Sequence, residues 1–522
     1  MLSELDLTLT FKATTLVLYF LAIGVLAVYG FHRAQLLYLY WKHLKHARPT
    51  PERFERLPRV TVQLPIFNEY YVVERLLRSV TALDYPRHLL DIQILDDSTD
   101  DTRELAATWA RRLQAEGVDI THLHRAERTG YKAGALGEGT KQAKGEFILI
   151  LDADFEPRPN LIGQLIHYFT DPKVGMVQGR WGHINREYSL LTRVQSMMLD
   201  GHFIIEHIAR NRSGRFFNFN GTAGMWRKST IEAAGGWHHD TVAEDMDLSI
   251  RAQMCGWDFV YVPHAHVPAE LPCEMTSFKT QQYRWAKGHA QIARKLLPVV
   301  LKSDLPLKIK LESIFHLTNN FAYLFLVLLA LLQLPNMLIR SQMQSPWWLL
   351  LDVPLFVATC GSITAFYVVA HRALYPDYRV ALKRLPMTMA VGIGLSINNS
   401  KAVLEGLFSQ SNVFVRTPKH GNLIADGRLK DNRYCRRRGK RSYVEFAFAL
   451  YFIFTMAAAL LTGSWPSIPF LILFTVGFVY VGFRTRYPGA LRTQPLRPAE
   501  LPGLPEPPHI LPPHKEAARQ VA

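Results

Sequence analysis

Two carboxylates one residue apart, Asp152 and Asp154, close a run of five large apolar residues from Phe147 to Leu151. Hard oxygens at that spacing on a turn can hold a divalent cation that also takes phosphate oxygens. A second acidic pair, Asp96-Asp97, ends another apolar run, and a third acidic group sits in Ala243-Glu244-Asp245-Met246-Asp247. Farther along, Gln281, Arg284 and Trp285 place an amide, a guanidinium and an indole within five residues. Displacing a diphosphate from a carbon centre calls for this set. A cation stabilises charge on the leaving oxygen, and a carboxylate accepts the proton of the incoming hydroxyl. The guanidinium fork suits phosphate and the aromatic face suits the apolar side of a pyranose ring. One base and one displacement imply inversion at the reacting carbon, with no nucleophilic carboxylate required.

Each group has a plainer explanation when taken alone. An isolated acidic pair is usually a solvated turn, and Asp245 would be one of several acids favoured in the first turn of a helix by its macrodipole. Arg284 and Trp285 would be a surface cation and a core aromatic. Order and joint presence overturn these readings. His264 and His266 alternate at an apparent strand exit, but two histidines without a third ligand are more often structural, and they stay outside the candidate site.

The elements that must position these residues read as an α/β domain between Arg59 and about Pro298. The pattern predicts strands over Val60–Phe67, Asp91–Leu95, Asp119–His124 and Phe147–Leu151. Helices are predicted over Tyr71–Ala82, Asp101–Ala115 and Lys132–Ala143. A continuous apolar strand is the mark of a parallel sheet buried on both faces, and ligands gather at the carboxyl edge of such sheets. Two strands ending in acidic pairs at that edge build one anionic site, which cationic ligand groups or metal must neutralise.

The rest of the 522 residues reads as membrane. Ala13–Phe31 carries no charge and no proline, long enough to cross a hydrocarbon core as an uncleaved anchor. Further spans are expected over Ser313–Ile339, Val353–Ala370 with Trp347 and Trp348 as interface anchors, Phe446–Ser464 and Trp465–Phe483. Pro386–Ser400 is short and polar and is expected to be interfacial or re-entrant. The formal charge of +16 points to no nucleic acid, because ten Lys or Arg residues gather between Phe414 and Tyr443, among the spans. Five spans and one interfacial helix put every basic loop on the side of the α/β domain. Four scattered cysteines suggest neither a disulfide framework nor a zinc site.

The order of Asp96-Asp97, Asp152/Asp154, Phe219-Asn220-Gly221-Thr222-Ala223-Gly224, Glu244-Asp245 and Gln281-Gln282-Tyr283-Arg284-Trp285 resembles the membrane-embedded family 2 glycosyltransferases. These have a GT-A fold and D, DxD, ED and QxxRW motifs. Leu191-Thr192-Arg193-Val194-Gln195, Asn398-Asn399 and Phe414-Val415-Arg416-Thr417-Pro418-Lys419 narrow the resemblance to the cellulose-synthase-like group, nearest the plant mannan synthases of its A branch and their bacterial relatives. The resemblance implies a Rossmann-like GT-A domain, facing the cytosol and inserted between about five spans plus interfacial helices. The expected units are an anchor over 1–45, a catalytic domain with an interfacial helix over 46–300, and a membrane region over 301–485. That region includes a gating-like cytosolic loop (386–442), and a proline-rich disordered tail follows over 486–522.

It also implies roles. Asp96, Asp97 and Lys132 would contact the sugar nucleotide. Asp152 and Asp154 would hold Mg2+ or Mn2+ on its diphosphate, Asp154 the more direct ligand, and Asp245 would be the base. Gln281 and Arg284 would hold pyrophosphate, while Trp285 with Asn220, Gly221 and Thr222 would receive the acceptor. The implied reaction is processive, inverting polymerisation of hexose from GDP-mannose or UDP-glucose into a β-1,4-mannan, glucomannan or glucan. A single-sugar transfer to a ceramide or diacylglycerol acceptor is the competing enzyme reading, and a nucleotide-sugar-binding scaffold or transporter the non-enzymatic one. Arg416 departs from the family's gating pattern, and Ala243 stands where many relatives have threonine. A bacterial inner membrane is expected rather than a Golgi one.

Overall fold

A computed structural model describes residues 2–46, 51–343, 348–409, 415–421, 432–434 and 442–487. Residues 47–50, Trp347, Phe414, most of the basic stretch after it and the proline-rich tail beyond Tyr487 lie outside them.

The α/β domain is built on one seven-stranded sheet in the order β3-β2-β1-β4-β6-β5-β7. The strands are β1 (Val60–Ile66), β2 (Leu90–Asp96), β3 (Ile120–His124), β4 (Phe147–Ile150), β5 (Val174–His183), β6 (Gly224–Arg227) and β7 (Asp258–Ala269). β1 to β4 pair parallel, β6 runs antiparallel to both β4 and β5, and β5 pairs parallel with β7. The sheet is therefore mixed, not purely parallel. The antiparallel strand follows a tight loop in which Gly221 (φ 79°) and Ala223 (φ 55°) both take positive φ. That reversal brings the loop 220–223 to the edge where β1, β2, β4, β5 and β7 end.

The apolar run of β4 is explained by what covers it. Phe147 and Leu149 join a core on one face with residues such as Leu76, Leu77, Ile162 and Leu165. Ile148 and Ile150 face the other way, into a core shared with Leu36, Leu37 and Tyr40 of the first membrane helix and with Phe366, Ala370 and Leu374. Period-two alternation thus sends half of each strand toward the membrane helices.

Among the described residues, five helices are long and apolar enough to cross a membrane, or six if a bent pair counts as one span. The first runs Leu2–His43, well beyond the uncharged core read from the sequence. The bent pair, Tyr378–Gly394 and Ser396–Phe408, turns by 45° at the segment expected to be interfacial or re-entrant. Its first helix crosses the last membrane helix, Ile468–Arg486, backbone to backbone. A β-carbon on Gly394 would lie 2.4 Å from the Gly477 oxygen, and one on Gly477 would lie 2.3 Å from the Ala390 oxygen. Its second helix lies against the long helix Met275–Lys302, where a β-carbon on Gly406 would lie 2.6 Å from the Lys287 oxygen.

Candidate active site

The strand ends converge on a cavity of about 630 Å³ that continues between the membrane helices. Asp97, Lys132, Asp152, Asp154, Asn220, Gly221, Asp245, Gln281, Arg284 and Trp285 all line it. Asp96 and Thr222 do not. Asp96 is fully buried behind its neighbour, accepting from Ser98 N (2.8 Å) and meeting His122 Nε2 at 2.9 Å and His124 Nδ1 at 3.6 Å. Successive residues of a strand face opposite sides, so β2 offers the cavity one carboxylate and not two. Thr222 supports the site from behind, its hydroxyl accepting from Asp152 N at 2.8 Å.

Asp97 is held by Arg125 through two bonds, Nε to Oδ1 at 2.8 Å and a terminal nitrogen to Oδ2 at 2.6 Å. Arg125 also donates to the carbonyls of Thr129 and Tyr131, which fixes the loop leading to Lys132. Lys132 reaches Asp152 Oδ1 at 2.5 Å and the Gly221 carbonyl at 2.8 Å. Gly221 is the tight point of the site: a β-carbon there would stand 3.1 Å from Asp245 Oδ2 and 3.5 Å from Lys132 Nζ. All three non-glycine residues with positive φ among those described, Asn68, Tyr131 and Ala223, flank this region. Asn tolerates this conformation, whereas at Tyr131 and Ala223 it costs about 1–2 kcal/mol each, a cost concentrated where function tends to be.

On the opposite wall, the segment 415–421 lies over the site. Lys419 Nζ is 2.6 Å from Asp154 Oδ2, and Arg416 pairs with Glu69 at 3.1 Å and donates to the carbonyls of Phe67 and Asn68. His420 N and Gly421 N each donate to Glu270 at 3.0 Å. Glu270 also meets Arg75 at 2.7 Å. Arg416, the departure from the family's loop pattern, thus has a partner of its own. Glu69, Arg75, Glu270, Arg125 and Arg128 went unnoticed in the sequence. Arg125 and Arg128 had a signal, as basic residues directly after a strand at the acidic edge; the other three had none.

Burial dominates the electrostatics. It raises Asp154 above the usual carboxylate range against the pull of Lys419, and it raises Glu69 to about 8. Burial and then the neighbouring Glu244 carboxylate push Asp245 up to about 7. Burial lowers the Arg284 guanidinium, with Glu244, Asp152 and Asp245 acting the other way. For Asp96, burial is outweighed by hydrogen bonds from His122 and Ser98, and its pKa falls.

Asp152 and Asp154 suit a hard divalent cation. Both offer carboxylate oxygens, and each is paired with an ammonium group, so the structure already places positive charge where a metal would sit. His238, Asp240 and Asp247 are also close enough together for a metal, but Lys295 lies 2.8 Å from Asp240 and 2.7 Å from Asp247, and Arg251 lies 2.6 Å from Asp247. Ala243 packs against the helix that bears Trp285 at Gly288, where a β-carbon on the glycine would come within 2.7 Å of the alanine methyl group. Nothing in the structure explains why alanine stands here in place of threonine.

Beyond Trp285 the cavity wall becomes a buried polar network. Asn220 meets His202 Nε2 at 3.0 Å and His207 Nε2 at 2.6 Å. His202 meets Glu206 at 3.0 Å, Arg210 bridges Glu206 (3.0 Å) and Glu312 (2.9 Å), and Glu312 meets His32 of the first membrane helix at 3.2 Å. His202–Glu206 forms one π-turn, a feature that often occurs at functional sites. Phe470 and Phe474 line the cavity within the last membrane helix.

A family model described as "Glycosyltransferase like family 2" matches residues 58–288. Glucomannan 4-beta-mannosyltransferase 7 of Arabidopsis thaliana is 31% identical over 440 residues, covering 82% of this chain and 76% of its own. Glucomannan 4-beta-mannosyltransferase 1 of Oryza sativa subsp. japonica is 34% identical over 384 residues, 70% of each chain. Both are plant proteins and lend no support to a bacterial inner membrane. Among solved structures, a mannosyltransferase from Pyrobaculum calidifontis in complex with GDP-Man and Mn2+ is 21% identical, covering 77% of this chain and 99% of its own with a TM-score of 0.48.

Proposed function

Because the chain belongs to glycosyltransferase family 2, with glucomannan 4-beta-mannosyltransferases among its relatives, we propose that it is a membrane hexosyltransferase that extends a β-linked mannan or glucomannan from a nucleotide sugar. Its α/β domain has the GT-A fold. The observation that carries the reading is one cavity joining Asp245, Arg284 and Trp285 to the interior of the membrane bundle. A single-sugar transferase needs a pocket, whereas a polymerase also needs a path for the product.

In this reading Asp245 takes the proton of the acceptor hydroxyl as its oxygen attacks the anomeric carbon, and the bond to the diphosphate breaks with inversion. Gly221, with no side chain, leaves room for that hydroxyl beside Asp245 and Lys132. Arg284 and Gln281 receive the leaving diphosphate, and Trp285 stacks on the acceptor sugar. Asp97, fixed by Arg125, bounds the nucleotide end, while Asp96 fixes the strand end through His122. Asp152 and Asp154 would hold Mg2+ or Mn2+, which neutralises charge on the leaving diphosphate. A mannosyl donor agrees with the relatives' names, GDP-mannose in this reading, and the α/β domain faces the cytosol, where nucleotide sugars are available.

Membranes containing the protein, given labelled GDP-mannose with Mn2+, alone or together with UDP-glucose, should accumulate long alcohol-insoluble chains that a β-mannanase degrades. Recovery of label only in a one-sugar lipid would replace the polymer with a lipid acceptor.

A further inference from the structure

A second recess, of about 300 Å³, lies outside the catalytic cavity, between the first membrane helix at Gln35 and the helix Leu307–Thr318. Its floor is a stripe of Leu307, Leu311 and Phe315, spaced by four residues and so stacked along one face of the helix. Leu307 and Leu311 are 69% and 48% exposed. Arg215 and Lys308 line it as well. Lys308 Nζ donates to the Ser213 carbonyl at 3.2 Å, while Arg215 Nε has no hydrogen-bond partner and stands 3.9 Å from Glu312. Glu312 is already engaged by Arg210 at 2.9 Å and His32 at 3.2 Å, so it leaves the two cations largely uncompensated. More positive charge lies nearby: Lys42 is in the last turn of the first helix, and Arg212 donates to the Leu44 carbonyl just after it.

The depth is right for a membrane interface. The apolar segment Leu307–Met343 has 37 residues, whereas about 20 cross a hydrocarbon core, so its first turns lie at headgroup level. We propose that this groove binds one anionic phospholipid, its phosphate between Arg215 and Lys308 and an acyl chain along Leu307, Leu311 and Phe315. A soluble anion would have no use for the apolar stripe. A zwitterionic headgroup would bring a cation to a recess whose one acid, Glu312, is buried and engaged. The inference is independent of the sugar chemistry.

The test uses the full chain in nanodiscs of mixed phosphatidylcholine and phosphatidylglycerol, with native mass spectrometry of the lipid retained after detergent extraction. Wild type should keep phosphatidylglycerol preferentially. The double variant Arg215→Ala/Lys308→Ala should lower that preference on the order of tenfold, two interfacial cations being removed. Leu311→Trp keeps both cations and fills the groove, and it should lose the lipid equally. Lys302→Ala, a basic change outside the groove, should retain it. If Leu311→Trp retains phosphatidylglycerol as wild type does, the attraction is diffuse and the groove is not a site. Equal retention of both lipids by wild type overturns the proposal outright.

Discussion

The acidic pairs that end β2 and β4 lie two strands apart on one sheet edge, yet they are neutralised in opposite ways. Asp96 and Asp97 meet His122, His124, Arg125 and Arg128, all from the next strand and the turn after it. Those partners all come from one short stretch of chain, and Asp96 is held below the usual carboxylate range. Asp152 and Asp154 draw theirs from two separate segments, Lys132 at the start of the helix that precedes β4 and Lys419 in the segment 415–421. There burial wins, and both Asp154 and the nearby Asp245 are raised. One end of the site is a finished wall. The other keeps carboxylates that burial raises in spite of their ammonium partners, which under the proposed function would meet a metal-bound diphosphate and an acceptor's proton.

The contrast can be broken most sharply at the base. Asp245→Asn should lower transfer by roughly 10²–10⁴-fold while donor binding, followed by calorimetry, changes little; unchanged turnover would remove Asp245 from this role. A smaller effect is expected from pH. A base must be unprotonated to act, and Asp245 is raised to about 7, so kcat/KM should rise about tenfold per unit as pH increases toward 7 and level off above it. A flat profile between pH 5 and 8 would mean that the raised carboxylate is not the one that works. The smallest effect tests the stand-in cation. Lys419→Ala should tighten Mn2+ binding to the donor-free protein several-fold, read by titration of a paramagnetic signal, because the metal would no longer compete with an ammonium group on Asp154. Weaker binding would show that Lys419 supports the metal and does not exclude it.

Much of this was legible in the sequence because local patterns determine it. The first four strands lie within a residue or two of their expected limits, since β4 is an apolar run and β1 to β3 largely alternate apolar with polar residues. The later strands resisted reading for physical reasons. β6 has four residues, too few to show alternation, and β7 carries His and Pro within a bulged pairing to β5. The division of labour between Asp96 and Asp97 was available in principle from strand alternation. Glu69, Arg75 and Glu270 were not, because their importance depends on a segment some 150 to 350 residues later folding back across them.

The close crossings of the membrane helices have a mechanical consequence. Where Gly394 meets Gly477 there is no side chain to compress, so the last membrane helix and the helix Tyr378–Gly394 are clamped as one beam. The beam bends by 45° into Ser396–Phe408, whose Gly406 rests on the helix bearing Gln281, Arg284 and Trp285. That helix in turn presses Gly288 against Ala243, two residues before Asp245. Backbone touches backbone or a methyl group at each joint, leaving little slack. A rotation at the bend would therefore displace Trp285 and Asp245 together, as a lever moves both jaws of a vice.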